Sequence, residues 1–130
     1  MEPNAGPADA PLTPAEETAV RELLDADHQR TSARIAMLSS DRDEIVRSSA
    51  LTASDDEHDP EGTSTAFERA HVQALLDQAI AHLADLELAR ERLRAGGYGV
   101  CATCGRRIPA ERLMILPAAR TCVGCAPGRR

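Results

Sequence analysis

The stretch VQALLDQAIAHLADLELARERLRAGG, residues 72–97, decides the fold. From Val72 the spacing alternates between four and three, giving Leu76, Ala79, Leu83, Leu86, Arg90 and Leu93, a heptad-like seam along one face of a helix. Gly96-Gly97 closes it, because residues without a Cβ allow the left-handed turn of a helix C-cap. Just upstream, Thr65-Ala66-Phe67-Glu68 has the form of a capping box and predicts the start of this helix. Phe67 at that start is expected to pack across onto a neighbouring helix.

Working back toward the N-terminus, Thr13-Pro14-Ala15-Glu16 supplies a capping hydroxyl, a proline at the first helical position and a glutamate at the third. A second seam follows in Leu24, His28, Thr31, Ile35, Leu38, Arg42, Ile45 and Ser49, and predicts a helix over 14–49. Ser39-Ser40-Asp41 is a place where side chains competing for backbone hydrogen bonds could kink it. Residues 50–64 abandon periodicity, with Asp55, Asp56, Glu57, Asp59 and Glu61 crowded around Pro60 and Gly62, and read as a loop. Two apolar seams joined by a polar loop imply an antiparallel hairpin with arms of roughly 45–50 Å and the acidic loop at its tip. Residues 1–12, with three prolines among small and acidic residues, are expected to be a disordered tail. The fold class that follows is mainly α, a long antiparallel helical hairpin over 13–97 with a small four-cysteine domain at its base over 98–130.

Composition agrees with that architecture. The 130 residues include 23 alanines but one Phe, one Tyr and no Trp, too little bulk for a thick globular core. The net charge of -6 argues against a protein that coats nucleic acid. That charge is unevenly divided: six arginines and Glu111 give +5 over residues 100–130, leaving -11 upstream. No apolar run approaches a membrane span, and Met1-Glu2-Pro3-Asn4 lacks the basic start of a secretory signal, so a cytoplasmic location is expected. The sequence offers no phosphate-cradling glycine loop, nucleophile elbow or open metal site, which points away from an enzyme.

Cys101-Ala102-Thr103-Cys104 and Cys122-Val123-Gly124-Cys125, 17 residues apart, are the strongest chemical signal. Paired knuckles of this form let two short turns each offer two thiolates to one tetrahedral centre, which suits a single structural zinc ion. Four thiolates around zinc leave a charge of about -2, which Arg106, Arg107 and Arg120 stand near enough in sequence to offset. All four histidines lie upstream, so no further ligand is at hand for an open, catalytic zinc. Two sharper readings stay beside the structural one. The thiolates could serve as a redox switch that releases metal, or the basic C-terminal part could act as a zinc-ribbon adaptor or nucleic-acid module. Tyr98 is expected to pack the ribbon against the hairpin base. From composition alone, the acidic run reads as a solvated loop.

The sequence resembles the DksA/TraR family of bacterial transcription regulators. The resemblance rests on Gly97-Tyr98-Gly99-Val100-Cys101-Ala102-Thr103-Cys104-Gly105, Ile108-Pro109, Arg112-Leu113, Pro117 and the second cysteine pair, preceded by a hairpin with an acidic tip. It implies binding to RNA polymerase, with the hairpin tip inserted in the secondary channel to modulate initiation and no sequence-specific DNA binding. The family's two tip aspartates, spaced D-x-x-D, match Asp56 and Asp59; Glu61 stands where the family carries a small alanine. Only Ala126 to Arg130 follow Cys125, so the C-terminal helix of longer members is not expected, and no residues match a contact to the alarmone ppGpp. A monomer is expected.

Overall fold

The computed structural model describes residues 10–52 and 60–127. Three α-helices occur among them: α1 (Pro14–Thr52), α2 (Pro60–Ala95) and α3 (Ala110–Ile115), followed by a short 3-10 turn, Val123–Cys125. The described residues form no named strand, only an isolated antiparallel bridge between Val100 and Arg107.

The start of α1 follows from its capping box. Thr13 N–H donates to Glu16 Oε1 at 2.9 Å and Glu16 N–H donates to Thr13 Oγ1 at 3.1 Å, so two orphan donors are satisfied reciprocally. At the C-terminal end of α2, Gly96 takes φ +92° and the N–H groups of Gly96 and Gly97 both reach Arg92 O at 2.9 Å, which terminates the helix. Ser39-Ser40-Asp41 does not interrupt α1, which stays helical throughout.

Both helices run further into 50–64 than the sequence reading allowed. Ala50 and Leu51 are good helix formers, and Pro60 suits the first position of a helix because its φ is preset and its missing N–H would be an orphan there. Glu61 then falls in the first turn of α2. As a result Thr65 lies inside α2 rather than at its start. Phe67 is 74% exposed and does not pack across the pair, a correction to the sequence reading.

The chain divides into two compact units, residues 1–28 with 84–130 and residues 29–83. In the first, Val20 and Leu24 of α1 and Leu86 and Ala89 of α2 share a buried cluster with Tyr98, Cys101, Ile108 and Leu113. Completely burying each of its aliphatic side chains contributes roughly 1.5–3 kcal/mol. The ion pairs Asp25–Arg90 at 3.2 Å and His28–Glu87 at 3.3 Å step in opposite directions along the two helices, which makes the pairing antiparallel. Here Ala89 occupies the buried position and Arg90 flanks it, so the seam lies one residue from where the spacing put it. In the second unit, Leu38, Leu76 and Ala79 form a smaller cluster covered by Ile35, Val72 and Leu75.

Candidate metal centre

Each cysteine pair arrives on a turn closed by its own backbone. Cys101 N–H donates to Arg106 O at 2.7 Å and Gly105 N–H returns to Cys101 O at 2.9 Å. Gly105 adopts φ +76°, a left-handed conformation that a Cβ disfavours, which accounts for a glycine directly after Cys104. The second turn is the 3-10 segment, closed by Cys125 N–H to Cys122 O at 3.1 Å. Ala102 N–H donates to Arg120 O at 2.8 Å and joins the first turn to the approach of the second, while Arg112 Nε of α3 donates to Thr121 O at 3.1 Å. The unit is tied to the end of α2 by the Arg92 guanidinium, which donates to Val100 O at 2.7 Å and to Gly97 O at 3.2 Å. Tyr98 is buried in the shared cluster as the sequence suggested, and its hydroxyl donates to Pro117 O at 2.7 Å.

The sulfurs of Cys101, Cys104, Cys122 and Cys125 lie within 4.8 Å of one another, with Cys104 and Cys122 at 3.8 Å. A tetrahedral zinc with bonds of about 2.3 Å sets its sulfurs about 3.8 Å apart. The backbone N–H of Cys104, helped by that of Cys122, pushes the Cys101 thiol down to about 6 against the opposing effect of burial. Cys125 is pushed up to about 12, chiefly by its side-chain hydrogen bond to Cys122. Four crowded sulfurs cannot all ionise without a positive charge among them, and zinc supplies it. The donor set therefore fits a single structural zinc ion with all four positions taken by protein. Arg106, Arg107 and Arg120 are exposed around the site and pair with no carboxylate among the described residues, consistent with their offsetting its negative charge.

Asp56 and Asp59 lie outside the described residues, and Glu61 falls in the first turn of α2. Sequence reasoning missed Arg92 and Arg112. A basic residue in the last turn of α2 was a visible signal, but the bonds of both arginines go to carbonyls of irregular backbone, which no spacing reveals.

Residues 96–129 match the family described as the prokaryotic dksA/traR C4-type zinc finger. An uncharacterized protein of Aquifex aeolicus (strain VF5) is 38% identical over 60 residues, 43% of this chain and 41% of that protein. The uncharacterized protein YteA of Bacillus subtilis (strain 168) is 36% identical over 66 residues, 51% of this chain and 28% of that protein. The match thus spans less than half the length of either relative. The transcription factor DksA2 from Pseudomonas aeruginosa shares the fold, with a TM-score of 0.69 over 95% of this chain and 85% of that one, at 24% identity. Residues 96–129 thus carry a zinc finger of the dksA/traR C4 type, and the chain shares the fold of DksA2.

Proposed function

We propose that this protein is a transcription regulator that binds RNA polymerase and places the acidic segment between α1 and α2 in the secondary channel, modulating initiation. One observation carries the reading. The antiparallel helices are joined by residues 53–59, which hold Asp55, Asp56, Glu57 and Asp59, whereas the zinc finger follows the other end of α2. Carboxylates in the segment that joins two helices suit a narrow, partly basic channel, where they can pair with cations or approach the oxygen shell of a magnesium ion. A zinc finger of the dksA/traR type supports the same role, as does a fold shared with a protein described as a transcription factor. No helix among the described residues is long and apolar enough to cross a membrane. On this reading the protein works in the cytoplasm as a monomer, its finger anchors the helices, and Asp56 and Asp59 deliver the effect.

The test is charge-neutral substitution. Asp56→Asn/Asp59→Asn should leave zinc content and helicity intact while weakening the effect on initiation in a purified transcription assay by roughly tenfold, the scale of a lost charged hydrogen bond. An undiminished effect would remove the role assigned to these residues.

A further inference from the structure

Within the unit of residues 29–83, α1 and α2 leave two shallow grooves on different faces, of about 410 and 420 Å³, and the two differ in charge. The first has a floor of Val46, Ala66 and Ala70, with Arg42 and Arg69 beside it. The second has Ile45 and Val72 as its apolar part and carries Asp41, Glu44 and Glu68. This contrast is not the average surface of the unit, where residues 29–83 hold ten acidic residues against five arginines. Arg69 is exposed and pairs with no carboxylate among the described residues, and Arg42 is held by its own neighbour Asp43 at 3.2 Å. Val46 is 41% exposed, and Ala66 and Ala70, one turn apart, leave room for close approach.

We propose that the Arg42/Arg69 groove is a docking surface for a polymerase segment that presents carboxylates beside an apolar ridge, and that the pair of unlike grooves fixes which face of the helical pair turns toward that segment. The proposal rests on the polymerase reading above and adds to it the rotational setting of the helices. Arginine beside exposed apolar floor is the composition of a protein interface. Two cations in strongly acidic surroundings are too few to hold a phosphate backbone. The opposite groove rejects the same segment, since three carboxylates there would face its own and like charges repel.

The full-length, zinc-loaded protein and core RNA polymerase from the source organism provide the test. Binding is measured for the wild type, for Arg42→Glu/Arg69→Glu, and for the charge-matched control Arg34→Glu/Arg47→Glu at exposed residues that line neither groove. In parallel, a photo-crosslinking residue replaces Val46 or Glu44. The groove variant is expected to bind at least about tenfold more weakly at unchanged helicity and zinc content, with the control within about twofold. The probe at position 46, rather than 44, should capture a polymerase peptide rich in Asp and Glu. Equal affinity of the groove variant, capture from position 44 instead, or capture of a second copy of this chain would overturn the docking surface alone. Failure of the wild type itself to bind would overturn the polymerase reading along with it.

Discussion

Tyr98 links the zinc finger to the helices through a side chain with two unlike ends. Its ring is buried with Val20, Leu24, Leu86 and Ala89, and its hydroxyl donates to Pro117 O. Burial raises the phenol well above its ordinary value, with Arg92 pulling the other way. A raised phenol means that the folded state favours the neutral form. Its stabilising contribution is therefore complete below the ordinary tyrosine range of about 10 and is lost as pH rises beyond it, where the unfolded chain ionises first. Tyr98→Phe should cost about 1 kcal/mol near neutral pH, from the carbonyl it leaves unpaired, and should flatten the alkaline fall in stability. Denaturant unfolding at neutral and alkaline pH checks both expectations, and because Tyr98 is the single tyrosine, tyrosinate absorbance reads its ionisation directly. A wild-type chain whose tyrosine titrates at its ordinary value while folded would contradict this account.

At the scale of elements, the helices owe their ends to local chemistry and their middles to pairing. Thr13→Ala removes half of the capping box and should cost about 1 kcal/mol, with faster amide exchange at Glu16 and Glu17 as the sign that the loss is local. Phe67→Ala, by contrast, should change stability by less than about 0.5 kcal/mol, since its ring is largely in solvent; thermal unfolding of the two variants separates the cases. These two residues also mark the limit of what sequence reveals. The Thr13 box, the seam from Leu24 to Ser49, the Gly96 stop and all four cysteines were legible, because capping and helical periodicity act over three or four residues. The box at Thr65 had the same letters but lay within reach of Pro60, a stronger start, so helix α2 simply ran through it. The carbonyl bonds of Arg92 and Arg112 were not legible, since they depend on where irregular backbone comes to rest.

For the molecule as a whole, zinc and hydrophobic packing are one structure in the unit of residues 1–28 and 84–130, where Cys101 belongs to the same cluster as Leu24 and Leu86. Cys125→Ser should reduce bound zinc from one per chain to almost none. Structural zinc stabilises small domains by roughly 10–16 kcal/mol, so amide protection should collapse first over residues 98–127. The separate cluster of Leu38, Leu76 and Ala79 should keep more of its protection. Metal analysis and hydrogen exchange on the same sample decide this, and uniform loss across the chain would show that the units are not independent in stability. The proposed function makes the finger a support and the acidic segment the effector, so the most direct measurement is site-specific crosslinking from positions 56 and 59 in zinc-loaded protein mixed with core RNA polymerase. Crosslinks to the secondary channel close to the catalytic centre are the predicted result; a folded, zinc-containing sample that crosslinks elsewhere on the enzyme, or not at all, would contradict it.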